Sequence, residues 1–231
     1  MGNKLKNIKC CGDCLKIMKT LPDESFDLLL TDPPYKIRTA AVRVIDGDTT
    51  DRLKKRWVKS NPDLIRTGKF VNNIPKFKDW LPDCYRLLKP GTHAYIFTSG
   101  EHIEEIGREA KKAGFKYQNL LMWVKNNKTP NNWYMKQAEF ILMLRKGPAK
   151  PVNNRGISTV LNFKNVTNKI HPTQKPIKLL KLLIEQSTNP GDIVFDPFAG
   201  SFSTMKAAQE CGRNSYSIEM EEKYVLLFER E

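Results

Sequence analysis

Long apolar runs are missing from this chain of 231 residues. No stretch approaches the ~20 apolar residues of a membrane-spanning helix, so no span is expected. With 40% hydrophobic residues and a negative mean hydropathy, the composition is that of a soluble globular protein. The basic start, Met1 to Lys9, runs into no apolar core, and no secretion signal is expected. Cysteine and histidine are scarce, five and three residues. Five cysteines cannot all pair, and Cys11-x-x-Cys14 has no second pair to complete a zinc site. The cysteines therefore read as buried thiols of a reducing compartment, and no metal site is expected. Internal repeats and low-complexity tracts are absent too.

Acid is locally missing. From Phe140 to Ile184 there are nine Lys or Arg and no Asp or Glu, and from Lys36 to Trp80 twelve Lys or Arg face five Asp. These two segments together exceed the +14 of the whole chain. Positive charge gathered in this way suits a polyanion, because neutralising phosphates releases their counterions. Nucleic acid is the expected partner, with an anionic membrane surface as the alternative.

The length fits one domain carrying insertions. Apolar runs alternate with helical periods, which predicts an α/β fold with a mainly parallel sheet. Strands are expected at Ile8–Cys11, Phe26–Thr31, His93–Thr98, Ile193–Phe195 and Ser215–Ile218. Helices are expected at Cys14–Leu21, Phe77–Leu88, Glu101–Ala113, Ile177–Gln186, Ser203–Glu210 and Glu221–Glu229. Phe115–Val124 and Gln137–Leu144 read as an antiparallel pair at one edge. Two segments lack a period: Lys36–Lys76, too long for an ordinary connection, and Gly147–Lys169.

Three motifs carry chemistry. Thr31-Asp32-Pro33-Pro34-Tyr35 follows an almost wholly apolar strand, and ligands of open parallel sheets bind beyond strand carboxyl ends. The two prolines extend the backbone and remove two amide donors, which leaves the Asp32 and Pro33 carbonyls as acceptors beside a carboxylate. Tyr35 adds a face on which a planar ring can stack. The set suits an amino group on a heteroaromatic ring; on these residues alone a plain Pro-Pro turn reads equally well.

Asp196-Pro197-Phe198-Ala199-Gly200-Ser201 lies between a strand and a helix, where a glycine allows close backbone approach and the helix start offers amide donors. Glu219, at the end of the next strand, stands about 20 residues further on, where an acid that bonds ribose hydroxyls is expected. His171-Pro172-Thr173-Gln174-Lys175-Pro176 is a stiff, donor-rich helix entry; by itself it reads as a cap on Thr173.

Together these motifs resemble the amino-methylating DNA methyltransferases, specifically their permuted beta group. There the Asp-Pro-Pro-Tyr motif comes early, the glycine loop late, and a His-Pro-Thr-Gln-Lys-Pro element lies between. The resemblance spans nearly the whole chain. It implies a circularly permuted Rossmann-like fold, with a mostly parallel seven-stranded sheet and an antiparallel edge pair. It also implies that the strand ending at Glu219 lies beside the N-terminal strand ending at Asp13.

The implied cofactor is S-adenosylmethionine. Asp196, Phe198, Gly200 and Ser201 would surround its methionine part, Glu219 its ribose and Asp13 its adenine, with Thr173 and Lys175 closing over the carboxylate. Asp32, Pro33, Pro34 and Tyr35 would hold a flipped base. The implied partner is DNA, gripped by 36–78 and read by a short recognition segment at 147–170. A homodimer and a cognate restriction enzyme fit the same picture, as does the cytoplasm of a bacterial or phage-infected cell. Adenine N6 is the expected target, since Asp before Pro-Pro goes more often with adenine in that group and Ser with cytosine. Cytosine N4 is the alternative, because both amino groups present the same donors. One residue departs from the pattern: Phe202 stands where the loop usually has a second glycine. The reading it would favour is a catalytically silent DNA-binding subunit.

Overall fold

The computed structural model describes residues 5–34, 74–130, 133–148, 150–167, 169, 171 and 173–228. The chain divides into two units, Pro34–Lys76 and the remainder, and the fold is that of the remainder. Tyr35, Pro172 and most of the 36–78 segment lie outside the described residues.

The chain opens with strand β1 (Ile8–Cys11), helix α1 (Cys14–Thr20) and strand β2 (Phe26–Thr31). After the second unit come α2 (Phe77–Leu87), β3 (Leu88–Thr98), α3 (Ile103–Lys112), and the paired β4 (Lys116–Thr129) and β5 (Lys136–Arg145). The C-terminal part holds β6 (Val160–Asn162), α4 (Ile177–Ser187), β7 (Ile193–Asp196), α5 (Ser203–Glu210), β8 (Asn214–Glu219) and α6 (Glu222–Phe228).

All eight strands form one sheet in the order β1-β8-β7-β2-β3-β5-β4-β6. From β1 to β3 every pairing is parallel; β5 is antiparallel to both β3 and β4. β2 is central because its sequence leaves no other place for it. All its residues but Asp27 are buried, as in a parallel strand covered on both faces. Leu28, Leu30 and Val194 share one core cluster with Leu179, Leu180, Leu183 and Ile184 of α4 and Ala207 and Ala208 of α5. Leu29 and Phe195 alternate with them and turn to the opposite face. Asp27 is the exception with a reason: it accepts from Lys89 Nζ at 2.6 Å and from the Ile193 amide at 2.9 Å, and so ties β2 to both neighbours.

The α/β class, the parallel core and the permuted arrangement agree with expectation. β1 pairs in parallel with β8, Cys11 opposite Glu219, and the Gly12 amide donates to the Glu219 carbonyl at 2.8 Å. The strand count does not agree. The sheet has eight strands rather than seven, because Val160–Asn162, inside the aperiodic 147–170 segment, pairs in parallel with Met122–Val124. The antiparallel pair is therefore not at the edge; β6 covers it. Three residues are too few to show a period, so this strand was not legible. β4 also runs to Thr129, past the expected Val124. β3 begins at Leu88 through Pro90-Gly91, its register against β2 broken between Leu88 and His93.

All five cysteines are free. Burial pushes the Cys14 thiol up to about 12, which disarms Cys11-x-x-Cys14 as a redox pair. No group of His, Cys, Asp and Glu among the described residues could hold a metal ion. No described helix is long and apolar enough to cross a membrane.

Candidate active site

The site is built on the carboxyl ends of adjacent parallel strands. β2 delivers Asp32, β7 ends in Asp196 and β8 ends in Glu219, so three acids line one rim of the sheet. The first two are linked directly: Thr31 Oγ1 donates to Asp196 Oδ1 at 2.7 Å. The Phe198 amide donates to the same oxygen at 3.1 Å. Asp196 is 3% exposed, and burial lifts its carboxyl to about 6 against the hydrogen bonds from Thr31, Thr204 and Phe198. Glu219 closes the loop from the other side. Its Oε2 accepts the Gly200 amide at 2.7 Å and its Oε1 the Glu221 amide at 2.8 Å. Burial still raises it above the ordinary carboxylate range.

Gly200 is required twice over. Its φ is +53°, and a Cβ there would meet His171 Cε1 at 3.3 Å. His171 packs edge-on to Tyr224, centroids 4.4 Å apart. Its Nδ1 receives the Thr173 amide at 3.3 Å and lies 3.1 Å from Thr173 Oγ1. An amide can only donate, so that nitrogen carries no proton. Burial and then Lys175 lower the ring to about 4, which agrees with a neutral imidazole.

Phe202 stands in the left-handed region at φ 57°, ψ 23°. For a residue with a Cβ this costs about 1–2 kcal/mol. What holds it there is packing: the ring is fully buried with Ala199 and Met205, against Val225 and Phe228. The extra side chain thus fills a small core beneath α6. Ser201 is buried, 2.8 Å from Ser203 Oγ, and the Phe198 ring meets Trp80 edge-on at 5.2 Å. Asp13 caps α1 through the Leu15 amide at 2.9 Å, one residue beyond the Gly12 bond to Glu219.

Around Asp32 the chemistry differs. Pro33 is buried and Pro34 half-buried. Asp32 Oδ2 accepts from Lys175 Nζ, while Oδ1 is buried and has no hydrogen-bond partner. Lys175, expected at the cofactor, is engaged here; it also donates to the Thr173 carbonyl at 3.2 Å and lies 5.1 Å above the Phe97 ring. Two residues that the sequence motifs left out complete the cluster. Glu139 Oε2, on β5, is 3.5 Å from Lys175 Nζ, and Glu139 Oε1 accepts from Lys125 on β4. Lys125 in turn sits 4.9 Å over the Trp123 ring.

Four buried or half-buried charges thus alternate in sign and sum to zero. Burial raises the Asp32 carboxyl; Lys175 pulls it back and Glu139 adds to the rise. Burial also raises Glu139, but Lys175 and Lys125 outweigh it and leave that carboxyl below its ordinary value. Lys175 stays charged, since Asp32 and Glu139 overcome its burial. A signal for Glu139 did exist: it is the only acidic residue between Glu109 and Glu185.

An orphaned buried acceptor beside a carbonyl-rich Pro-Pro turn fits an incoming amino group. The neighbouring acids fit a ligand with an ammonium and a vicinal diol. Comparison with known proteins identifies the family. A family model described as DNA methylase matches residues 26–230. The chain is 34% identical to the DNA adenine methyltransferase YhdJ of Escherichia coli (strain K12), over 97% of this chain and 81% of that protein. It is 29% identical to the type II methyltransferase M.HinfI of Haemophilus influenzae, over 99% of this chain and 68% of that protein. Among solved structures, that of M1.HpyAVI complexed with SAM superposes with a TM-score of 0.68 at 27% identity, covering 96% of this chain and 97% of the other. The cytosine-N4-specific PvuII DNA methyltransferase shares the fold, TM-score 0.71, at 19% identity over 95% and 84% of the two chains.

Proposed function

Since the chain belongs to the DNA methylase family of N6 and N4 amino-methyltransferases, we propose that it methylates adenine N6 in DNA. S-adenosylmethionine is the methyl donor, and Asp32 is the residue that receives the base. The observation that carries the reading is Asp32 Oδ1, buried and unpartnered at the end of β2. Adenine is favoured over cytosine by the Asp before Pro33-Pro34 and by the 34% identity to a protein named as an adenine methyltransferase.

Asp196, Phe198, Gly200 and Ser201 would hold the methionine part of the cofactor, Glu219 its ribose and Asp13 its adenine end. When bound, the cofactor supplies a sulfonium-activated methyl group to an incoming nitrogen. The nitrogen itself is the difficulty, because its lone pair is delocalised into the ring. Asp32 Oδ1 and the Pro33 carbonyl accept hydrogen bonds from its two N–H groups and favour a pyramidal nitrogen with the lone pair turned outward. Asp32 can then hold the proton that the methylated nitrogen must lose. Catalysis comes from orientation and fixed charge rather than from a protein nucleophile. The base must first leave the duplex stack, at a few kcal/mol; Tyr35, beyond the described residues, is assigned to stack on it. The segments 36–78 and 147–170 are assigned to DNA.

A radiolabelled-methyl assay on mixed-sequence DNA, with nucleoside analysis, tests this reading. Label in N6-methyladenine is expected. Label in N4-methylcytosine would overturn the base assignment. Absence of label in any nucleoside would leave the silent-subunit reading of Phe202, which the packing of its ring with Ala199, Met205, Val225 and Phe228 disfavours.

A further inference from the structure

Glu139 is placed where an ordinary ion pair would not need it. Asp32 alone suffices to neutralise Lys175, and Lys125 alone suffices to neutralise Glu139. Yet Glu139 presents its second oxygen, buried and without a hydrogen bond, 3.5 Å from the Lys175 ammonium. This joins two pairs into one chain that runs from β4 and β5 to the end of β2. The consequence is electrostatic. An ammonium bonded to one carboxylate oxygen withdraws accepting strength from the other, and a buried site screens that effect poorly. A second carboxylate against the same ammonium offsets it.

We propose that Glu139 is a positioning residue for methyl transfer: it counterbalances Lys175, so that the ammonium pins Asp32 Oδ2 without weakening Oδ1 as the acceptor of the target amino group. Lys125 tunes the arrangement by holding Glu139. This rests on the reading of Asp32 as the residue that receives the base.

The charges that face Asp32 are Lys175 of the α4 entry, Glu139 of β5, Lys125 of β4 and Asp196 of β7. Lys169 acts on Lys125, Lys175 and Glu139 from the preceding loop. Among these, Glu139 raises the proton affinity of Asp32 and Lys125 lowers it. The two substitutions that remove one charge each should therefore move the enzyme in opposite directions.

The experiment is the pH profile of kcat for full-length protein on DNA with S-adenosylmethionine. Glu139→Gln keeps shape and a carbonyl acceptor but loses the charge. Its kcat is expected to fall roughly tenfold, the equivalent of one pKa unit, with KM for cofactor and DNA within about twofold. Its acid limb should move to lower pH, and Glu139→Asp should return the limb towards the wild-type position. Lys125→Gln should move the limb to higher pH. A purely structural residue would reduce the folded fraction, read by circular dichroism, and leave both limbs in place; that result overturns the proposal. So does an acid limb that moves upward in Glu139→Gln. Asp32→Asn serves as the control. If it remains active, the reading of Asp32 fails; if it is inactive while Glu139→Gln behaves as wild type, only the role of Glu139 fails.

Discussion

The two halves of the sheet handle buried acid in opposite ways. On the parallel half, Asp196 and Glu219 are satisfied by neutral donors, a threonine hydroxyl and the amides of Phe198, Gly200 and Glu221. Neither has a cation within ion-pair distance among the described residues, and burial leaves both carboxyls raised. On the antiparallel half, Glu139 is satisfied by ammonium groups and ends lowered. Asp32 stands on the boundary, with Lys175 on one oxygen and nothing on the other. On the proposed function, the difference separates two tasks. Neutral donors leave carboxylates free to take a cationic or hydroxyl-bearing ligand, whereas an alternating chain of charges holds one acid in place for chemistry.

The largest expected effect is at that boundary. Asp32→Asn should lower kcat at least about a thousandfold, in the range by which positioned acid–base groups act, while cofactor affinity, read by calorimetry, stays within a few-fold. The fold should survive, because Lys175 retains Glu139 as a counter-ion. Parallel loss of cofactor binding would show that the two halves are not separable.

How much of this was legible in the sequence follows the same division. The parallel half is written in contiguous motifs, since a strand end, a tight turn and a helix start are neighbours in the chain. Asp32, Asp196 and Glu219 could therefore be picked out, and they do meet on one rim. The antiparallel half is assembled across strands: Lys125 and Glu139 meet through register, and Lys175 joins them from a distant loop. Glu139 lies one residue before the acid-free stretch from Phe140 to Ile184, inside a strand whose pattern is mainly apolar. β6 escaped for a different reason, being three residues long.

The second test asks whether Phe202 belongs to the core rather than to the ligand side. Phe202→Gly relieves about 1–2 kcal/mol of left-handed strain but removes a buried ring, typically about 3–5 kcal/mol. A net destabilisation of roughly 2–3 kcal/mol is expected, with cofactor affinity changed less than stability. A tighter-binding variant of unchanged melting temperature would place the ring in the ligand's way and revive the silent-subunit reading.

A smaller effect separates the parallel half by pH. His171 titrates near 4 in the fold against 6.5 when free, so the unfolded chain binds more protons between these values. Stability from His171 is therefore full above about 6.5 and is lost as pH falls towards 4, by at most about 3 kcal/mol. Asp196 slopes the other way, since its raised carboxyl of about 6 takes up a proton in the fold first. Comparing wild type with His171→Gln by chemical denaturation at pH 7 and pH 4.5 isolates the histidine. The gap between the two proteins should change by one to a few kcal/mol, with wild type losing more on acidification. An unchanged gap would mean that the imidazole is already hydrated in the fold.

The smallest test concerns DNA itself, and it asks on which half the duplex lies. Arg155 and Lys164 are exposed in the 147–170 segment that flanks β6, while Lys16 and Lys19 are exposed on α1 beside the parallel half. If the basic segment grips phosphates, each of Arg155→Gln and Lys164→Gln should lower the slope of log affinity against log salt by about 0.9, the release of one counterion apiece. The same change at Lys16 or Lys19 should leave the slope alone. Equal losses at all four would mean that the positive charge acts as a diffuse field, and the duplex would then have no preferred half of the sheet.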